Sequence, residues 1–207
     1  MKKLALLICL IGAGLFTANA QDYKSVKVGL GLGYASPGGE GAKGGVLVYF
    51  EPAYRVNDAI AVGLRFESAV MARGLVVSSG GVTAVSEAEV SGNASYTVNG
   101  QYYFLNGPFR PFAGLGFGIY SLASSSVSVS GTSTSVTASA SSSKFGFYPR
   151  FGFDLGHFVM QLEYNIIPST SAEVSVTTGT GTSIITSESK NSYLGIKMGF
   201  NIGGGKK

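Results

Sequence analysis

Apolar residues alternate with small or polar ones in eight separate stretches between residues 26 and 202. A period of two places alternate side chains on opposite faces, so each stretch predicts a β-strand. In the first, Val26, Val28, Leu30, Leu32 and Tyr34 oppose Lys27, Gly29, Gly31, Gly33 and Ala35. Val46, Val48, Phe50 and Tyr54 then oppose Gly45, Leu47, Tyr49, Glu51 and Arg55, and Ile60, Val62, Leu64 and Phe66 oppose Ala61, Gly63, Arg65 and Glu67. The fourth stretch sets Tyr96, Val98, Tyr102 and Phe104 against Thr97, Asn99, Gln101 and Tyr103. The second half repeats the pattern over 113–120, 144–155, 158–166 and 193–202.

The connections alternate as well. Asn57-Asp58, Asn106-Gly107-Pro108 and Gly156-His157 are short and made of turn formers. Pro37–Gly44, Met71–Asn93, Leu122–Ser143 and Pro168–Lys190 are longer. Three of these predict hairpins of their own, turning at Gly80-Gly81, at Gly131-Thr132 and near Gly179-Thr180-Gly181. Short turns at one rim and long loops at the other describe an all-β, eight-stranded, antiparallel up-and-down transmembrane barrel. Long extracellular hairpins and a periplasmic location for both termini follow from that arrangement.

Volume decides which face points outward. A soluble barrel of the same size would turn its apolar face inward, yet an eight-stranded bore is only just wide enough for side chains to fill. The apolar face carries four or five large groups per strand, many of them Phe or Tyr. The other face is mostly Gly, Ala and Ser with a few charges, and its glycines leave room for large polar groups. The apolar face therefore meets lipid. The inward charges Glu51, Arg65, Glu67, Arg150, Glu163 and Lys197 form one layer near mid-height, three acids against three bases. An unpaired charge in so narrow a bore would cost several kcal/mol. The balanced set is expected to pair into an ionic plug of the lumen.

Composition changes the picture at the start of the chain. Lys2 and Lys3, the apolar run Leu4–Phe16 and Ala18-Asn19-Ala20 read as a signal peptide over 1–20, leaving 21–207 as a single barrel domain with a short C-terminal tail. Cys9, the only cysteine, lies inside that run, which leaves no lipidated, disulfide-bonded or thiol chemistry. Lys2 and Lys3 are two of fifteen basic residues, so the remainder exceeds the eleven acidic ones by only two. That balance argues against nucleic acid as a partner.

Candidate chemistry is sparse. Gly29-x-Gly31-x-Gly33 and Gly114-x-Gly116-x-Gly118 lack the helix a dinucleotide fingerprint needs. His157, the only histidine, falls in a short turn at the end away from the long loops. No metal-ligand or cofactor constellation is present, and the expectation is a non-enzyme.

Glu51-Pro52-Ala53-Tyr54-Arg55-Val56-Asn57-Asp58 followed by Ala59–Phe66 resembles a strand–turn–strand of the small outer-membrane β-barrel (porin-like) superfamily, which includes OmpA-, OmpX- and OmpW-type barrels. Arg110–Gly118 resembles its fifth strand, and Tyr148–Tyr164 its next hairpin. The resemblance implies the outer membrane of a Gram-negative cell, contact with its lipids including lipopolysaccharide, and insertion by the outer-membrane assembly machinery. Here Phe200 is followed by seven further residues, so an assembly signal read from a terminal aromatic would be internal. The expected role is structural or surface-interacting; the loops are either solvated and variable with no fixed partner, or a β-rich surface that contacts an extracellular partner by strand addition. A small porin-like conduit for small or apolar solutes is the alternative, and an enzyme acting on lipid A comes third.

Overall fold

The computed structural model describes residues 22–38, 42–79, 82–130, 133–138, 142–178 and 181–206. The segment read as a signal peptide lies outside them. Among the described residues eleven strands follow one another: β1 (Val26–Pro37), β2 (Ala42–Arg55), β3 (Ile60–Ser79), β4 (Val82–Tyr103), β5 (Phe109–Ser130), β6 (Ser133–Ala138), β7 (Ser142–Leu155), β8 (Phe158–Asn165), β9 (Thr170–Thr178), β10 (Gly181–Ser189) and β11 (Tyr193–Gly203).

Eight of them close a barrel. The order β4-β3-β2-β1-β11-β8-β7-β5 is completed by pairing of β4 with β5, and every pair described is antiparallel. Closure satisfies the backbone hydrogen bonds of every wall strand, which a chain surrounded by hydrocarbon requires. No described helix is long and apolar enough to cross a membrane, so the crossing elements are strands.

The short turns are built as their residues dictate. Asn57 Oδ1 accepts from the backbone N–H of Ala59 and Ile60 at 2.9 and 2.7 Å, folding the turn between β2 and β3. Gly156, at φ 60°, reverses the chain between β7 and β8 in a left-handed conformation that favours glycine.

At the opposite end the ladders run further than the hydrophobic contrast does. Pairing of β3 with β4 continues from Met71↔Ser91 to Ser79↔Val82, through a stretch read from the sequence as a connection. β5 continues beyond Leu122 to pair with β6 as far as Ser130↔Ser133, and β9 and β10 form a separate two-stranded sheet. Val, Ser and Thr in these stretches keep β-propensity after the apolar-versus-small alternation has stopped. The expected turn residues 80–81, 131–132 and 179–180 lie outside the described residues.

The two faces of the wall separate cleanly. Leu30, Phe50, Phe66, Val98, Phe117, Phe151, Leu162, Met198 and Phe200 are exposed on the outside. Cross-strand rings meet there, Phe50 with Phe66 at 6.0 Å and Phe66 with Tyr96 at 5.9 Å between centroids. Charged and amide side chains fill the inside. That is an inside-out arrangement relative to a water-soluble barrel, and the uninterrupted apolar belt has lipid as its natural solvent.

Candidate functional site

The candidate site is the lumen. Side chains from β2, β3, β7, β8 and β11 converge at mid-height because inward parity brings Glu51, Arg65, Glu67, Arg150, Glu163 and Lys197 to one level. All six are buried, Arg150 and Lys197 completely. Arg65 sits at the centre. Its Nε donates to Glu51 Oε2 at 2.7 Å, its Nη1 donates to Glu163 Oε2, and Glu67 Oε2 lies 3.9 Å from Nη1. Arg150 grips Glu51 with both terminal nitrogens, at 2.8 and 3.0 Å, and donates to Asn99 Oδ1 at 2.7 Å. Such two-pronged guanidinium–carboxylate pairs fix orientation as well as charge. Lys197 Nζ donates to both Glu67 and Glu163. Each acid therefore meets at least two cations, and the six form one connected network.

Neutral groups complete it. Gln101 Nε2 donates to Glu51 Oε1 at 2.9 Å, Asn165 Nδ2 to Glu163 Oε1 at 2.9 Å, and the Tyr193 hydroxyl to Glu67 Oε1 at 2.7 Å. The Arg65 guanidinium lies 5.4 Å from the Tyr49 ring centroid and 4.9 Å from that of Tyr148. A charge held over aromatic faces gains attraction that water would otherwise supply.

Apolar clusters flank the charges along the axis. Toward the long hairpins lies a buried cluster of Ala35, Leu47, Tyr49, Ala69, Met71, Tyr120, Tyr148, Ile167 and Tyr193. Toward the short turns lies another, of Ala61, Tyr103, Phe112 and Val159. Inward glycines make space for these rings. A Cβ on Gly199 would stand 2.6 Å from the Tyr49 hydroxyl, and one on Gly152 2.7 Å from Phe112 Cζ, closer than side chains pack. Sequence reasoning put Tyr49 and Tyr103 on the inner face but gave them no part. Their size beside so many glycines was the available signal. Among the described residues no group of His, Cys, Asp and Glu could hold a metal ion. His157 is exposed in its turn, and its backbone carbonyl accepts from Asn201 N at 2.7 Å.

Residues 5–200 match the family model of the outer membrane protein beta-barrel domain. The chain belongs to that family. It is accordingly an outer-membrane protein, and its lipid-facing belt is the surface such proteins present to the bilayer. No curated protein matches the sequence. Among solved structures, OprG from Pseudomonas aeruginosa superposes with a TM-score of 0.57 at 14% identity, over 90% of this chain and 99% of that one. Neisserial surface protein A (NspA) gives a TM-score of 0.46 at 15% identity, over 86% and 96% of the two chains. Ail of Yersinia pestis gives 0.41 at 14%, over 88% and 99%. Identities this low extend the likeness to OprG to the fold alone, and the other two superpositions carry no argument.

Proposed function

We propose that this protein is a closed, structural barrel of the outer membrane that presents its long hairpins at the cell surface and conducts no solutes. The observation that carries the reading is the interlocked mid-lumen network. The void beside Glu51, between Lys27, Gln101 and Gln161, holds about 10 Å³. That is room for one water molecule at most. Opening a path would require separating buried ion pairs with nothing to replace them, at a cost of several kcal/mol.

Planar-bilayer recording of the purified protein tests this. The expected trace is silent; stable single-channel steps would defeat the plug and favour a conduit for small or apolar solutes. In the same reading the short turns and termini face the periplasm, and no reaction is catalysed. Lipid A of unchanged mass after overexpression is the expected result for the last point. The surface role rests on the hairpins: β9 and β10 pair only with each other among the described strands. Their outer edges offer unpaired backbone groups to a partner's extended strand.

A further inference from the structure

A second charged group lies outside the mid-height network, at the short-turn end of the bore. Lys27, Arg55, Arg110 and Asp154 are all buried there. Asp154 Oδ2 stands 3.7 Å from Lys27 Nζ and 3.9 Å from Arg55 Nη2, and accepts from the Tyr103 hydroxyl at 2.9 Å. Arg110 has no ion pair among the described residues. Its guanidinium is stacked between two rings, 3.9 Å from the Tyr23 centroid and 4.2 Å from that of Tyr103. Nε donates to Leu105 O at 3.4 Å and Nη2 to Asp58 O, while Nη1 is buried with no hydrogen-bond partner. Asp154 Oδ1 is likewise buried and unpartnered.

Both residues line one cavity of about 300 Å³ at the barrel mouth, with Tyr23, Arg55, Pro108 and Lys206 around it. Lys27 and Arg55 lie against Asp154, whereas Arg110, with no ion pair among the described residues, stands beside a space large enough for a small molecule. Buried positive charge without a counter-charge is unfavourable, and an anion in the cavity would remove that penalty. A guanidinium stacked on aromatic faces presents its N–H groups in one plane, a geometry suited to carboxylate and phosphate oxygens. The Tyr23 ring and Pro108 offer walls for an organic body.

We propose that this mouth cavity is an oxyanion site for a small organic phosphate or carboxylate, with Arg110 Nη1 as its main donor. Lys206, exposed at the rim, adds a second cation. Titration calorimetry of the folded full chain in detergent, with phenyl phosphate at constant ionic strength set by chloride, is the test. Saturable binding is expected. Arg110→Gln should weaken it roughly tenfold or more, as loss of a charge-assisted hydrogen bond implies. Because Arg110 also braces two rings, Lys206→Gln provides a second reading on an exposed residue, with a few-fold loss. Nanodiscs separate the sources of the anion. Binding equal in phosphatidylcholine and phosphatidylglycerol discs marks a soluble ligand; loss in phosphatidylglycerol discs alone marks a lipid headgroup in the same site. Absence of saturable heat from the wild type, or unchanged affinity in both variants, overturns the proposal.

Discussion

Arg65 carries more of the lumen than any other side chain, since it holds Glu51 and Glu163 directly and lies beside Glu67. Truncating it leaves three carboxylates facing one another with only Arg150 and Lys197 to balance them. Removing one member of a buried ionic set typically costs ~3–5 kcal/mol, because the abandoned charges stay buried. Arg65→Ala is therefore expected to lower the urea midpoint of the folded barrel and its heat-modifiability temperature on gels. Unchanged behaviour in both assays would show that the network is not stabilising. The inner-face position of these six residues was legible in the sequence, because period-two counting within each strand needs no knowledge of neighbours. Their pairing was not. Arg65 and Glu163 are 98 residues apart, and Arg150 and Glu51 99. Which acid meets which base depends on the stagger between strands. The Arg110 stack was hidden for the same reason, since Tyr23 lies 80 residues before Tyr103 in the chain.

At the scale of elements, the short turns and the wall segments of the eight strands next to them could be read directly, because apolar–small alternation and turn residues mark them. The far ends of β3, β4 and β5 could not, since Ser- and Val-rich chain gives no contrast once it leaves the apolar belt. The β9–β10 hairpin shows what such a segment contributes. Among the described strands, β9 and β10 pair only with each other, and the base of the hairpin is pinned by Asn191 Nδ2, which donates to Pro168 O at 2.7 Å and Thr170 Oγ1 at 2.9 Å. A lone two-stranded hairpin adds little stability of its own. Replacing 172–187 with a short Gly-Ser linker, leaving Asn191 and Thr170 in place, should thus change barrel stability by less than about 1 kcal/mol, because closure cost varies only slowly with loop length. Circular dichroism and the folded-form gel shift check this. A variant that cannot fold would make the hairpin part of the folding nucleus rather than a surface appendage.

For the whole molecule, the solvent of the outer face decides how charge is tolerated on it, and two positions of equal exposure separate the alternatives. Leu115 and Val26 are both 63% exposed. Leu115 lies six residues into β5, opposite Pro149 of β7 and Gly100 of β4. At ~3.3 Å per residue that is about 20 Å along the strand. A tilt near 45° brings it to the middle of an apolar band ~25 Å tall. Val26 begins β1 at the short-turn rim. In water, arginine at either place would be nearly neutral, since both side chains already point away from the core. In a bilayer the cost follows depth, about 2–4 kcal/mol at the midplane and about 0–1 near the interface. Leu115→Arg is expected to lose stability by the larger amount and Val26→Arg by the smaller, measured by reversible urea unfolding in lipid vesicles. The same pair unfolded from detergent micelles should show a smaller gap, because a micelle deforms more easily around a buried charge. Equal costs at both positions in vesicles would mean that depth has no influence, and the apolar belt would then need a different solvent from lipid.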